Sequence, residues 1–581
     1  MDARLRAEYA PPLCERTPPS APLRMPKQKL SAPRLTPAQP QRGRWRLPFV
    51  VAGALLIAGS AVTLGANWFA TDGVSVIEAL ALALTFLNVF WIAAAAITAV
   101  AGGVILWSRP AMPPAQTPAL TRTALVFPIY NEDFRRVVAN AEDLTAALAA
   151  RGDLKSYEFF FLSDSNAAHA IEAERTEFYS LVMRHPEAPF YYRRRVINHE
   201  RKVGNIADFI TNWGARYDFM VVFDADSVMT PGALAAMTAR MAASPQTAII
   251  QTVPKIINAR SRYARMQQFA LNTYGPLFGA GMAWWSGDAG NYWGHNAIVR
   301  VSAFARHAGL PTLPGAAPFG GAILSHDFIE AAMLRRAGWR IEMAPDIDGS
   351  YEQVPPTLID AAARDRRWAQ GNLQHMRLLF AQGFDWVSRA HILSGIMSYL
   401  SSAFWLVLVL IGLAMALTGG GGDHRASLAG AGLAGVVTAT LLAPKAVALA
   451  AWLFGKLPGV PRDRRFIVSV AAETLVTAAI SPILMANQTA AVVAALTGRD
   501  IGWREQVRDR AKPELSEALR WFAPHKGAAL LFLGVVTLLS PIAGLWAAPT
   551  MLSLMASAFI SHELAKSGHY APWLWRTTSE R

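Results

Sequence analysis

An α/β domain built on a mostly parallel sheet, inserted into an all-α polytopic membrane bundle, is the fold that this sequence predicts. Three observations carry it. Apolar runs of membrane length lie towards both ends of the chain, basic residues gather in one set of the intervening loops, and short apolar strands alternate with helical patterns in the one long stretch that lacks such a run.

The composition suits a mixture. Of 581 residues 53% are hydrophobic and the mean hydropathy is +0.23, too apolar for an ordinary soluble protein and too charged for a bare membrane bundle. Lys and Arg outnumber Asp and Glu by 55 to 41, a net charge of +14 that suits nucleic acid, anionic lipid or a phosphorylated substrate equally well. The single Cys14 excludes an intrachain disulfide framework.

Taken in order, residues 1–46 read as a basic, Pro-rich cytoplasmic tail, disordered and facing lipid. Within 47–110, the runs 48–70 and 76–107 each exceed the ~20 residues that cross a bilayer, giving two transmembrane helices. In 391–497 the runs 392–417 and 427–454 give two more, and 466–497, broken at Ser481-Pro482, reads as a tight hairpin of two spans. A basic loop follows at 498–526, then a second hairpin over 527–566 broken at Pro549, then a tail over 567–581. Arg and Lys concentrate in the first tail and in the loops 455–465 and 498–526, while the opposite turns carry none. The positive-inside bias therefore puts both termini in the cytoplasm and predicts about eight transmembrane helices. It also accounts for the positive charge, so no nucleic acid is expected as a partner.

Residues 115–390 form the inserted domain. Strands are predicted at 123–128, 157–163, 217–223 and 247–252, and polar residues collect where they end. Tyr130, Asn131 and Glu132 follow the first, Asp164 the second, and Asp224 and Asp226 the third. In open α/β sheets ligands bind beyond the carboxyl ends of the strands. Two like charges as close as Asp224 and Asp226 are costly unless a cation or a hydrogen-bonding ligand joins them. A solvated Asx turn explains one such pair, but not acids at three strand ends.

Another carboxylate lies in SHDFIEAAMLRRAGW, 325–339, where Phe328, Ile329, Ala332 and Met333 share a helical face. Asp327 and Glu330 have the spacing of a capping box, which would make Asp327 an ordinary N-cap. Further on, RDRRWAQGN, 364–372, sets Arg364, Arg366 and Arg367 beside Trp368. That is either a solvated basic face beside the bilayer or a guanidinium cluster for a diphosphate.

Together, Asp164, Asp224-x-Asp226, Asp327 in Ser-His-Asp and Arg367-Trp368 resemble the family-2 glycosyltransferases, in the processive group that includes cellulose and hyaluronan synthases. Two positions depart from that pattern. His326 stands where Glu is usual, and Arg364 where the Gln of Q-x-x-R-W belongs, with Gln370 following. The blocks RTALVFPIYNED, NYWGHNAIVR, PFGGAILSHDFIEAAMLRRAGW, GSYEQVPP and RDRRWAQGNLQH are similar to the members that build periplasmic glucans.

The resemblance implies a GT-A-type nucleotide-sugar-binding domain in the bacterial inner membrane, with the catalytic domain cytoplasmic. It further implies inverting transfer from UDP-glucose to a growing linear β-1,2-glucan, and export of that glucan. By it, Asp224 and Asp226 hold Mg²⁺ or Mn²⁺. Asp164 meets the uridine with Tyr130, Asn131 and Glu132, and Lys202 in RKVGN reaches a phosphate, with Gly204 allowing close backbone approach. Asp327 is the general base, while Arg367, Trp368 and Gln370 contact substrate, Trp368 by stacking on a sugar ring. Trp503 and Arg504 belong to a gating loop. Membrane lipid, an acyl carrier protein and a periplasmic glucan-processing protein are the implied partners. The competing readings are transfer of a single sugar to a lipid acceptor, which product analysis separates, and a non-enzymatic transporter with a nucleotide-sensing domain, which predicts flux without UDP release.

Overall fold

The computed structural model describes residues 15–34, 43–69, 74–108, 121–418, 427–498, 514–567 and 573–578. Cys14, Trp503 and Arg504 lie outside them.

The inserted domain carries a seven-stranded sheet. Its strands are β1 (Thr123–Ile129), β2 (Tyr157–Ser163), β3 (Phe190–Arg194), β4 (Phe219–Val222), β6 (Thr247–Thr252), β8 (Ala297–Arg300) and β9 (Arg340–Ala344), in the order β3-β2-β1-β4-β8-β6-β9. Strands β3, β2, β1 and β4 run parallel, and β8 enters antiparallel between β4 and β6. A small second sheet joins β5 (Val228–Met229), β7 (Lys255–Ile256) and β10 (Ser350–Glu352).

Alternation along the strands feeds two cores. Leu125, Phe127, Phe159, Phe161 and Val221 face one way, onto α3 (Phe134–Ala150), α4 (Ala168–Arg184) and α6 (Pro231–Ala242). Ala124, Val126, Phe160, Met220 and Val222 face the other, onto α5 (Arg201–Trp213), α8 (Val301–His307) and α9 (His326–Arg336). Burying both faces explains why these strands read as continuous apolar runs. Each fully buried Phe contributes roughly 2–3 kcal/mol, which fixes the sheet and so the positions of its strand ends.

The helices α1 (Arg46–Phe69), α2 (Val76–Ser108), α11 (Trp386–Thr418), α12 (Ser427–Leu453) and α13 (Arg465–Leu496) are long and apolar enough to cross a bilayer. A bent pair, α14 (Leu515–Trp521) with α15 (Ala523–Leu539), adds a sixth candidate. Among the described residues this gives five or six such helices in place of the expected eight. The chain is a membrane protein.

The first source of the discrepancy is α13. Ser481-Pro482 does not turn the chain, because Pro482 sits inside one continuous 32-residue helix. The missing amide of Pro482 leaves the Ala478 carbonyl without its helical donor, but the helix continues through it without a turn. Both ends of α13 also meet the α/β domain. Phe466 packs on Phe269 of α7 (Arg262–Ser286), and Ala491, Val492 and Ala495 share a core with Ile329 and Leu373. A helix of this length spans about 48 Å, so α13 runs along the face of the domain.

The second hairpin breaks at Ser540-Pro541, ahead of the expected Pro549, which lies within α16 (Pro541–Met555). Proline is at home in the first turn of a helix, where its missing N–H is not needed. A last short helix, α17 (Ser557–Leu564), leads back to the domain, where the Arg262 amide donates to the Lys566 carbonyl.

The amino-terminal tail is not a lipid-facing arm over residues 15–34. It straps the α/β domain. Its Arg16 carbonyl accepts from the Tyr192 amide at the sheet edge, Pro18 accepts from the Trp213 indole, and Leu23 and Met25 pack on the core. Farther along, the Gln28 amide donates to the Gly309 carbonyl and Arg34 pairs with Asp385.

Candidate active site

The polar residues predicted at the strand ends converge, and the loops that bring them together are built for it. Asn131 follows β1 in the left-handed region, at φ 54°. Its amide donates to Ser165, its side-chain amide to Asn166, and its side-chain oxygen accepts from the amides of Asn166 and Ala167. Asn131 therefore splices the β1 and β2 loops, and its polar atoms are engaged by protein. The Tyr130 hydroxyl accepts a weak bond from Asn166 at 3.4 Å, and Glu132 is half-buried beside it.

Asp164, buried at the end of β2, takes a two-pronged bond from Arg195, with Nε at 2.7 Å from Oδ1 and Nη2 at 2.6 Å from Oδ2. Burial pushes its carboxyl up, and Arg195 pulls it back. Arg195 also donates to the carbonyls of His199 and Arg201, which ties Asp164 to the turn that opens α5. That turn is strained, since Glu200 and Arg201 are both left-handed at φ 57° and 51°. Gly204 serves the same turn, because a Cβ there would stand 2.0 Å from the His199 carbonyl oxygen. Its missing side chain admits protein backbone, where the sequence had suggested a phosphate.

Lys202, in the first turn of α5, donates to Asp224 Oδ1 and, at 2.9 Å, to the Gly294 carbonyl. Asp224 is half-buried, and its amide accepts support from Ser227 by donating to Oγ at 2.9 Å; Asp226 is buried. Across from Asp224, His295 Nδ1 lies 3.6 Å from Oδ2, while Nε2 meets Glu352 of β10 at 2.7 Å. Burial alone would depress this imidazole, but Asp224 and Glu352 carry it up to about 9. Neither His295 nor Glu352 was identified from sequence, although both sit in distinctive blocks.

Gly294, at φ 80°, faces Asp327: a Cβ there would lie 3.6 Å from Asp327 Oδ2. One residue thus takes Lys202 on its carbonyl and Asp327 against its α-carbon, which links the acid after β4 to the acid of α9 through Gly294. The capping box is not formed. Ser325 is the N-cap of α9, Asp327 lies in the first turn, and Glu330 pairs instead with His326. Burial raises the carboxyl of Asp327, and His326 and Lys202 oppose that rise.

Helix α10 (Leu358–Gln374) braces the loop before Asp327. His375 meets the Ser325 carbonyl at 2.7 Å, Gln374 Oε1 accepts from the Leu324 amide, and Gly371 leaves room for Ser325. Arg367 lies one turn before Gly371 and on the same face. Trp368 is half exposed, with the Arg364 guanidinium 4.5 Å over its ring, and Gln370 is half-buried. Trp368 points to solvent, and among the described residues no hydrogen bond or ion pair joins Trp368 or Gln370 to the strand-end acids.

A mostly parallel sheet with acids at its strand ends, an aspartate linked to them from a separate helix and an apolar bundle beneath defines the class: a membrane-bound glycosyltransferase of family 2. Two family models agree, "Glycosyl transferase family 2" over residues 124–307 and "Glycosyl transferase family group 2" over 219–454. Glucans biosynthesis glucosyltransferase H of Vibrio cholerae is 42% identical over 539 residues, covering 89% of this chain and 74% of that protein. Its namesake in Xanthomonas euvesicatoria is 39% identical over 574 residues, covering 93% and 88%. The one in Shewanella oneidensis is 40% identical over 546 residues, covering 88% and 73%. A solved mannosyltransferase of Pyrobaculum calidifontis, in complex with GDP-Man and Mn²⁺, aligns with 66% of this chain at 16% identity and a TM-score of 0.41, too slight a likeness to carry an argument. The chain belongs to the glucans biosynthesis glucosyltransferase H family, and it is a glucosyltransferase of glucan synthesis.

Proposed function

We propose that this protein polymerises glucose from UDP-glucose into a linear β-1,2-linked glucan with inversion at the anomeric carbon, and passes the chain across the inner membrane. The observation that carries this reading is the continuity from Asp224 through Lys202 and Gly294 to Asp327.

In this scheme Asp327 accepts the proton of the acceptor hydroxyl as that oxygen forms the new bond to the anomeric carbon. The bond from that carbon to UDP breaks, and its electron pair leaves on the diphosphate. A positioned base contributes typically 10²–10⁴-fold. Lys202, which pairs with Asp224, would exchange that contact for a phosphate oxygen. The Asp164–Arg195 clamp holds the Lys202 turn and borders the uridine site, with Tyr130 and Glu132 on the neighbouring loop. Arg367, Trp368 and Gln370 serve the acceptor side, with Trp368 as a stacking surface.

A divalent cation fits the donor set. The residues that would hold it are the two carboxylates Asp224 and Asp226; among the described residues no group of three His, Cys, Asp or Glu side chains stands ready for a metal. One or two carboxylates completed by substrate phosphates is the usual provision for Mg²⁺, and Mn²⁺ accepts the same oxygen ligands. When bound, such an ion neutralises charge on the departing diphosphate.

Orientation follows from charge. Arg46, at the start of α1, donates to the Trp284 carbonyl of the α/β domain, which places a basic helix end on that side. By the positive-inside bias the catalytic domain faces the cytoplasm.

Purified protein given radiolabelled UDP-glucose and Mg²⁺ tests the proposal. The expected result is UDP together with a ladder of β-1,2-linked oligomers. A single labelled glycolipid, or another linkage throughout, would contradict it.

A further inference from the structure

The position before Asp327 is where this chain departs from the wider family pattern, and the structure gives the departure a partner. His326 and Glu330 lie four residues apart on one face of α9, with Nδ1 2.9 Å from Oε2. Both are buried, at 8% and 2% exposure. A buried ion pair is a poor device for stability, since apolar side chains of similar size usually do as well or better. Its presence next to the candidate base therefore calls for another explanation.

We infer that the His326–Glu330 pair is a positioning device for Asp327, which fixes the first turn of α9 and supplies the positive charge beside which the aspartate works as a base. This rests on the reading of Asp327 as the base.

The surroundings leave His326 as the near cation on this helix. Asp327 and Glu330 are the acids on its own element. From α5, Lys202 approaches, already engaged by Asp224 and Gly294. From the end of α10 comes His375, which burial holds down to about 4, so it is neutral. Beneath lies Tyr292, fully buried with no hydrogen-bond partner for its hydroxyl among the described residues, and its ionisation is pushed up by burial and by the charges of Glu330, Asp327 and Asp224. Burial would depress His326, but Glu330 lifts it above the ordinary imidazole range. For Asp327, burial raises the carboxyl and the charge on His326 is the largest effect opposing it. Replacing that imidazole by a neutral group would leave two neighbouring acids in a desolvated place, and the proton that Asp327 must receive from the acceptor would already be on it at higher pH.

The test uses the full-length protein in detergent, with labelled UDP-glucose and Mg²⁺, and follows kcat and donor KM from pH 5 to 9. In His326→Gln the acidic limb of kcat should move up by about one pH unit, a tenfold loss at a fixed pH on that limb, with donor KM within about twofold. His326→Gln/Glu330→Gln, which removes both charges and keeps a hydrogen-bonding pair, should bring the limb back toward its starting place. An acidic limb that stays put in His326→Gln while kcat falls, or a double variant as impaired as the single one, would reduce the pair to packing and overturn the inference. Should His326→Gln fail to fold on gel filtration, His326→Asn carries the same test, with the same upward move of the limb expected and an unmoved limb overturning the inference. Asp327→Asn separates this inference from the reading beneath it. Turnover by that variant overturns both, whereas an inactive Asp327→Asn beside an unmoved limb in His326→Gln overturns this one alone.

Discussion

Lys202 Nζ lies 2.5 Å from Asp224 Oδ1, so the group expected to reach a phosphate and an acid expected to hold a cation are first partners of each other. Each keeps the other's charge compensated until substrate arrives. Lys202→Met should weaken UDP binding about 10–100-fold, the value of a charge-assisted bond of roughly 1.5–3 kcal/mol. Calorimetry with UDP measures it, and unchanged affinity would remove Lys202 from the donor site.

Arg195 deserves a substitution of its own because it serves a buried carboxylate. Arg195→Met leaves Asp164 charged and without its clamp, a change that costs about 3–5 kcal/mol when one partner of a buried pair is lost. The variant should unfold at lower temperature and lose UDP binding, and Arg195→Lys should recover only part of both, since an ammonium cannot supply the two parallel bonds. Thermal unfolding with and without UDP reads the two effects separately.

Deleting residues 1–34 tests the strap. Removal of the contacts to Tyr192, Trp213, Gly309 and Asp385 should lower the unfolding temperature and open the α/β domain to trypsin at the exposed edge of β3. A dispensable lipid-facing arm would leave both unchanged.

His375 makes a prediction about acid. Its folded-state value near 4 lies below the ordinary 6.5, because burial disfavours the charged ring and its hydrogen bond to Ser325 only partly offsets this. The unfolded chain therefore binds a proton that the folded chain refuses. The associated stability is fully present above pH 6.5 and is lost as pH falls from 6.5 towards 4, to a total of roughly 3 kcal/mol. His375→Gln should flatten this part of the profile of unfolding temperature against pH.

Much of this was legible in the sequence, for identifiable reasons. Strands β2 and β6 match their predicted ranges because a strand buried on both faces is a short unbroken apolar run. Asp164, Asp224 and Asp226 were found because they interrupt such runs at their ends. Three things were hidden. The pairs Asp164–Arg195 and His295–Glu352 join residues 31 and 57 positions apart, and no local pattern announces them. Glu330 had the spacing of a capping partner for Asp327, but a neighbouring imidazole competes for it. Residues 15–34 look disordered because they have no core of their own, and they gain order from the domain that they cross. Pro482 misled because a proline inside a long apolar helix removes one amide donor without turning the chain.

The most direct test of the central claim is Asp327→Asn, assayed for UDP binding and for glucosyl transfer in one preparation. The account predicts UDP affinity within about twofold of the parent and transfer lower by at least 10²-fold. Transfer at the parental rate, with UDP bound as before, would contradict it.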